Sequence, residues 1–386
     1  MYGAGSIGRG FIGPLFAQAG YEVVFIDVNR RIIDALNKRK SYFYTVADEV
    51  SYQVPVTGVR GVDGLDEQAV VSEIATCDLM ATSLGGSVLQ KVSPLIASGF
   101  SKRMQQSGNP LNLMICENLK DAAKALYGWL AEALPSTVKV LLDERCGLIE
   151  TAIGRMVPVT PLDGEDPLHV TVEEYEFLPV DKDAFIGKLP DVQGLIPFSP
   201  FSFFEERKLY LHNMGHAICA YLGMRHGLET IADAITDPLI HLVVQSAMTE
   251  ASAMLSKKYE VPFSQIFDHA EDLLHRFRNK ALNDSCERVG RDPIRKIAAG
   301  DRLAGALVRC DEYGIHPVFI ALGYAAALRH ITNDTKHAAT IAKETGKLPI
   351  SGLLLVMKLM NALDLPDSEL LGTVGKLKKD LRGNIY

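Results

Sequence analysis

From Met1 to about residue 150, short unbroken apolar runs alternate with segments whose apolar residues recur every three or four positions. Val23–Asp27 is four apolar residues closed by an acid and reads as a buried strand. Arg30–Lys38 sets Ile32, Ile33 and Leu36 on one side and reads as a helix. Asp78–Thr82 is a further strand ending near Leu84-Gly85-Gly86, and Ser87–Ala97 a further helix. Asn112–Cys116 is another strand, stopping at Glu117-Asn118. Strands that are apolar throughout need cover on both faces, which a parallel sheet between helices provides. The pattern therefore predicts an α/β, doubly wound parallel sheet. Ligands of such sheets meet the carboxyl ends of the strands. The turns at Gly3–Gly8, Leu84–Gly86 and Glu117–Asn118 are thus expected to share one edge.

Beyond residue 150 the pattern changes twice. Met156–Pro161, His169–Val172 and Tyr175–Pro179 read as extended segments broken by prolines and Asp-Gly turns, appended to the sheet. The stretch Gly194-Leu-Ile-Pro-Phe-Ser-Pro200 is the best domain boundary. After it the period is helical: 201–223, 228–235, 238–258, 262–277, 293–299, 301–313, 316–330, 335–344, 350–361 and 367–380. A nucleotide domain at 1–195 and an all-α substrate domain at 196–386 are expected, with the active site between them.

Chemistry begins at the first turn. Gly3, Gly5 and Gly8 form G-x-G-x-x-G, and Asp27 follows Gly8 by nineteen positions at the end of a strand. That is the spacing of a Rossmann-type βαβ unit binding a dinucleotide. Gly3 permits the tight turn, Gly5 lets backbone approach a pyrophosphate, and Gly8 seats the helix on the strand. Ser6 and Ile7 open that helix, whose N-terminus favours the anion. Asp27 can accept from both ribose hydroxyls and repels a 2′-phosphate, so NAD is expected over NADP, although Arg30 and Arg31 keep NADP open. Only Met1 and Tyr2 precede the turn, whereas a central first strand runs about five residues, so an upstream start is expected. Pro14 falls inside the first helix, removes the bond to the Gly10 carbonyl and predicts a kink.

The 386 residues exceed one ordinary core, and 47% hydrophobic with 23% charged residues fits a globular enzyme. A net charge of −7 argues against nucleic acid as the main partner. No apolar run approaches the length of a membrane span. Six scattered cysteines without a C-x-x-C read as reduced thiols of a cytoplasmic protein. Pattern leaves monomer and homodimer both open.

The stretch Phe204-Glu-Glu-Arg-Lys208-Leu-Tyr-Leu-His-Asn213-Met-Gly-His216 is unusually polar for a helix that also carries Leu209, Leu211, Ile218 and Leu222. Glu205, Lys208, His212, Asn213 and His216 share an arc of roughly 140° on an α-helix. Lys208 is a candidate general base if burial and neighbouring charge lower its pKa. Asn213 can donate to a developing oxyanion, His216 can hold a hydroxyl, and Glu205 can relay a proton. The plain alternative is an exposed Glu205–Lys208 ion pair with ordinary histidines. His212 and His216 are spaced for a metal but lack the adjacent acid of H-E-x-x-H, so no metal is expected.

Four stretches carry a resemblance. Gly3-Ala-Gly-Ser-Ile-Gly-Arg-Gly-Phe-Ile-Gly13, Ile115-Cys-Glu-Asn118 and Lys208-x-x-x-x-Asn213-x-x-His216 followed by Ala217 are similar to the polyol-specific long-chain dehydrogenases, the mannitol dehydrogenase family. Glu287-Arg-Val-Gly-Arg-Asp-Pro-Ile-Arg-Lys296 with Asp301-Arg302-Leu303 resembles that family's mannitol-phosphate branch in particular. The resemblance fades beyond about residue 330. It implies metal-independent, NAD-linked oxidation of a carbinol, with mannitol 1-phosphate and fructose 6-phosphate as the expected pair. It gives Lys208 the base role, Asn118 and Asn213 the oxyanion, His216 the substrate and Glu205 the proton relay. Read without the family, Asn118 is a turn residue capping the next helix.

Arg288, Arg291, Arg295, Lys296 and Arg302 suit a phosphate, since guanidinium forks bind it bidentately. Arg295 and Arg302 are the preferred contacts, Arg291, Lys296 and Arg155 further candidates. The alternative there is a solvated helix start paired with Glu287, Asp292 and Asp301. One departure stands out: Gly154-Arg155 replaces the family's usual Asp-Arg, removing a possible substrate-hydroxyl contact. Rival expectations are the same chemistry on an unphosphorylated polyol or sugar acid, and a non-catalytic NAD-binding sensor.

Overall fold

The computed structural model describes residues 1–47, 50–157, 166–331 and 337–383. The chain divides into two compact units, Met1–Ser202 and Phe203–Tyr386. Strands of the first unit are β1 (Val23–Asp27), β2 (Ser41–Val46), β3 (Tyr52–Thr57), β4 (Val59–Asp63), β5 (Met80–Thr82), β6 (Leu111–Ile115), β7 (Cys146–Glu150), β8 (Thr171–Val172), β9 (Leu178–Asp181) and β10 (Leu195–Phe198). β1 pairs in parallel with β4, and β5, β6 and β7 pair in parallel in that order. Tyr2 joins the two sets, bridging Ile26 on one side and Thr82 on the other. Its amide donates to Ala81 O at 2.7 Å, and its carbonyl accepts from the Ser83 amide at 2.9 Å. A cavity of about 540 Å³ lies beside this single bridging residue, lined in part by Met1, Val24, Ile74, Leu79 and Ala81. The architecture is a Rossmann-type parallel sheet followed by a helical unit.

Local chemistry explains the elements. Asn29 caps the helix Arg30–Arg39 by accepting from the Arg31 amide, Ile32, Ile33 and Leu36 form its buried side, and left-handed Lys40 ends it. The helix after β5 runs Gly86–Gln106, well past the expected end at Ala97. Gly99 does not break it, because a side chain there would strike Ile74 of the neighbouring helix, so the glycine permits close packing. Three strands that the apolar pattern did not announce, β2, β3 and β4, build a hairpin and the sheet edge. Pro55 is tolerated because β3 lies at the edge of its three-stranded sheet, in the order β3-β2-β8. His169–Val172 narrows to β8, and Tyr175–Pro179 shifts to β9. Residues 158–161 of the expected strand Met156–Pro161 lie outside the described residues, and Met156 and Val157 belong to no strand.

The helix after the glycine turn does not simply kink at Pro14. It contains a π segment, Gly8–Ile12, in which the Gly13 amide reaches back to Gly8 O. Carbonyls left over by the π turn and by Pro14 find side-chain donors. Tyr42 Oη donates to Arg9 O at 2.7 Å, and the Arg155 guanidinium donates to Gly10 O at 3.2 Å. Arg155 also donates to Glu173 O at 2.7 Å and lies over the rings of Phe11 and Tyr44, 5.5 Å from each centroid. Arg155, expected as a further phosphate contact, is buried, and two of its guanidinium nitrogens, Nε and Nη1, donate to carbonyls of its own unit.

The second unit is helical throughout its described length. Its long central helix, Pro238–Tyr259, is capped by Asp237, which accepts from the Leu239 and Ile240 amides, and is stopped by left-handed Glu260. Val243, Val244, Ala247, Met248 and Ala251 are fully buried along it. Among the described residues, no helix is long and apolar enough to cross a membrane.

Arg155→Ala is expected to destabilise the first unit by about 3 kcal/mol, since it strands two buried carbonyls and empties space between two rings. Arg155→Lys should recover only part of that, because an ammonium cannot fork or stack as a guanidinium does. Urea unfolding followed by Trp129, the chain's single tryptophan, checks both.

Candidate active site

The three turns expected on one edge do meet in the first unit. Gly3 has φ +103°, and a side chain on it would strike the Ser83 carbonyl at the end of β5. A side chain on Gly8 would strike the Gly3 carbonyl, so both glycines are demanded by the protein's own packing. Gly5 differs: nothing lies within 4 Å of where its side chain would be. An open glycine between two closed ones is a cradle that a pyrophosphate fits. Ser6 and Ile7 open the helix beside it, and first-turn amides of a helix lack intrahelical acceptors.

Asp27 carries two tasks. Its carboxylate accepts from the Ala4 amide at 2.7 Å and from the Asn29 amide at 2.9 Å, which holds the glycine turn against the end of β1. Each oxygen retains a second lone pair for a ribose hydroxyl. Arg30 leans on Asp63 at 3.2 Å. Glu117, which sequence reasoning passed over, is buried and accepts from the Leu84 and Gly85 amides at 2.8 and 2.7 Å. It thereby ties the turn after β5 to the turn after β6, where Asn118 stands exposed.

In the second unit, Ser202–Arg207 leads into a second π segment, Lys208–Asn213, and then into the helix Met214–Arg225. The Met214 amide reaches back to Leu209 O, five residues away. On a regular α-helix, positions five apart diverge by about 140°. A π turn closes i to i+5 and brings Asn213 round toward Lys208. Tyr210, Leu211 and Met214 are buried on the opposite side. Arg207 lies over the Phe204 ring at 4.4 Å, and Glu206 takes Lys258 at 2.7 Å, which fixes the approach to the π turn. Glu205 is exposed one turn before Lys208.

Burial, and then the nearby Arg302 guanidinium, lower the Lys208 ammonium to about 8. Arg302 donates to Asp301 at 2.9 Å, and Arg295 stands 3.7 Å from the other oxygen of the same carboxylate. Lys296 is buried, and burial together with Arg302 and Arg295 lowers it to about 8 as well. Arg302, Arg295 and Lys296 thus gather on Asp301 with Lys208 in electrostatic reach. Arg291 is not part of this group: exposed, it donates to Arg288 O at 3.3 Å, and Arg288 turns to Asp284.

His212 and His216 flank the same surface. The His216 ring stacks on Phe277 at 4.8 Å and 16°, and His212 lies 5.8 Å from both rings. Enclosure, and then Arg276, hold His212 well below its usual pKa, so it is neutral. His216 Nε2 lies 3.3 Å from Asp284 Oδ2 but is not aligned on it as a hydrogen bond. Among the described residues, no three or more His, Cys, Asp or Glu gather as a metal site. Asp284 was missed because nothing in its sequence surroundings links it to a histidine 68 positions earlier.

Comparison with known proteins adds the following. The mannitol dehydrogenase Rossmann domain family matches residues 1–194, and the mannitol dehydrogenase C-terminal domain family matches residues 201–357. The structure of Pseudomonas fluorescens mannitol 2-dehydrogenase, a ternary complex with NAD and D-mannitol, is 16% identical over 98% of this chain and 93% of its own, with a TM-score of 0.70. A D-sorbitol dehydrogenase in substrate-free form is 18% identical over 99% of this chain and 92% of its own, with a TM-score of 0.76. At these identities the two structures establish the shared fold.

The contrast among glycines gives a direct check. Gly5→Val should leave folding intact and weaken NAD binding at least tenfold, whereas Gly8→Val should destabilise the first unit itself. Calorimetric titration with NAD and thermal melts of both variants decide it.

Proposed function

The chain belongs to the mannitol dehydrogenase family, and from that premise we propose that it interconverts mannitol 1-phosphate and fructose 6-phosphate with NAD, the mannitol-1-phosphate 5-dehydrogenase reaction. The observation that carries this reading is the cationic group around Lys208. Arg302 and Arg295 share Asp301, with Lys296 beside them and Asp292 acting on Lys296, leaving an excess of positive charge beside an amine lowered to about 8. Such a place favours a dianion, and the guanidinium of Arg302 can hold phosphate oxygens in a fork.

NAD, held by Gly3, Gly5, Ser6, Ile7, Gly8 and Asp27, supplies when bound the carbon that accepts a hydride. Lys208, unprotonated, takes the proton of the carbinol hydroxyl, so that hydride loss leaves a neutral ketone. Asn213 and Asn118 donate amide N–H to the oxygen while it carries developing charge. His216 orients a neighbouring hydroxyl, and Glu205 passes the proton from Lys208 to water. Arg302 and Arg295, with Lys296 behind them, receive the phosphate.

A second reading, oxidation of an unphosphorylated polyol, draws on the mannitol and sorbitol enzymes that share this fold. The comparisons bear on it more directly, and the cationic group bears on the phosphorylated one. A substrate panel of mannitol 1-phosphate, mannitol, sorbitol and hexonates separates them. Arg302→Gln should raise KM for mannitol 1-phosphate more than tenfold with little change for mannitol. A parent enzyme that prefers mannitol would overturn the phosphate assignment.

Lys208→Ala should lower kcat at least 10³-fold while NAD still binds. The pH dependence follows in sign from the lowered amine. Below about pH 8 the amine is protonated and cannot accept, so kcat/KM for oxidation should climb with pH and level off above it. Reduction of the ketone needs the ammonium and should fall over the same range. Initial rates in both directions between pH 6 and pH 10 test this.

A further inference from the structure

The His216 imidazole is held on three sides. Phe277 stacks against one face at 4.8 Å, His212 leans on it at 5.8 Å, and Asp284 Oδ2 stands 3.3 Å from Nε2. The side chains of His216 and Asp284 are 14% and 12% exposed, so water competes little for this contact. Asp284 does not reach the ring by accident of a mobile loop. Left-handed Asn283 turns the chain just before it. The Asp284 carbonyl accepts from the Ile231 amide at 2.9 Å, and Thr230 bridges Ser285 beside it.

The carboxylate is itself divided between two partners. Oδ1 takes Arg288 through Nε at 2.7 Å and through a terminal nitrogen at 2.5 Å, leaving Oδ2 for the imidazole. Burial alone would push this carboxyl up, but His216 and Arg288 together hold it below the usual carboxylate range, so it is an anion. In the neutral ring, a carboxylate charge 3.3 Å from Nε2, though not aligned with it as a hydrogen bond, favours the tautomer that carries its proton there, and Nδ1 then keeps the lone pair.

We propose that Asp284, clamped by Arg288, is a positioning residue for His216, fixing which ring nitrogen is protonated and which can accept from a substrate hydroxyl. Asp284 touches no reacting atom in this scheme and acts only through the imidazole. The role deepens the polyol-dehydrogenase reading above and rests on it, since it gives His216 a defined chemical form for the task assigned there. Small misplacements of such a group are costly, because an orienting hydrogen bond must be correct in both direction and sense.

The test uses Asp284→Asn and His216→Gln, singly and together, in the full chain. With mannitol 1-phosphate and with mannitol as separate substrates, Asp284→Asn is expected to lower kcat/KM 10- to 100-fold with NAD affinity unchanged. In the His216→Gln background the same change should add less than twofold, because the residue it positions is gone. A full-sized loss in that background, or a loss below twofold in the parent, overturns the proposal. Nitrogen-15 spectra of histidine-labelled protein give a readout independent of turnover. The parent should show His216 protonated at Nε2, and Asp284→Asn should lose that preference. An unshifted tautomer also overturns the proposal. A parent that turns over neither substrate overturns the functional reading instead, with the spectra still deciding the clamp.

Discussion

A half-buried amine beside a guanidinium is the constraint on which the proposed site of the second unit depends. Lys208 is useful only if it can lose its proton near neutral pH, and that requires surroundings hostile to positive charge. Burial supplies part of the hostility and Arg302 the rest. Two cations at close quarters oppose folding, so the arrangement needs a counter-ion for the guanidinium and a rigid support for the lysine. Asp301 is the first, at 2.9 Å from Arg302. The apolar back of the π turn, with Tyr210, Leu211 and Met214 buried, is the second. The same excess charge that lowers the amine makes the neighbourhood attractive to an anion, so in the proposed function base activation and anion recognition would share one cause.

Both units place a π segment among their candidate site residues, and each solves a geometric problem that an α-helix cannot. In Gly8–Ile12 the wider turn accommodates Pro14 and a glycine-rich start, at the cost of carbonyls that need donors from outside the helix. Tyr42 and Arg155 supply them. Arg9 adds a further tie, its guanidinium donating to Ala4 O at 2.6 Å within the glycine turn. In Lys208–Asn213 the wider turn brings two residues five apart onto one side. The spacing in Lys208-x-x-x-x-Asn213 is awkward for an α-helix and natural for a π turn.

How much of this was legible follows from what kind of signal each feature leaves. The glycine turn, Asp27 and the continuous apolar strands β1 and β6 are local patterns with strong physical causes, and they read directly. The hairpin β2–β3 mixes tyrosines with polar residues and hides a proline on its edge, so no period announces it. The helix Gly86–Gln106 runs past the expected end at Ala97, and its Gly99 fits against the packed Ile74 of the neighbouring helix, a contact distant in sequence. Arg155 is only partly legible for a related reason. Beside a family motif a lone arginine resembles a ligand group, and the orphan carbonyls it serves are invisible until the π turn is seen. Glu117 and Asp284 act on partners distant in sequence, which no local pattern encodes.

Two lysines, Lys208 and Lys296, are both lowered to about 8, and under the proposed function their surroundings distinguish which would serve as the base. Lys296 sits on a four-residue helix with Arg295 beside it and Arg302 against it. Nothing near it among those groups can donate to an oxyanion without also being a full cation, so a carbinol there would meet charge where it needs a neutral amide. Lys208 begins the π turn that ends at Asn213, and His216 follows on the next turn of the same helix. In the proposed reaction, a neutral amide beside a poised amine lets a hydroxyl give up its proton without trapping the alkoxide as a permanent ion pair. On the proposed reading, Lys296 is therefore better matched to a fixed negative group on the substrate, and Lys208 to the carbon that changes oxidation state.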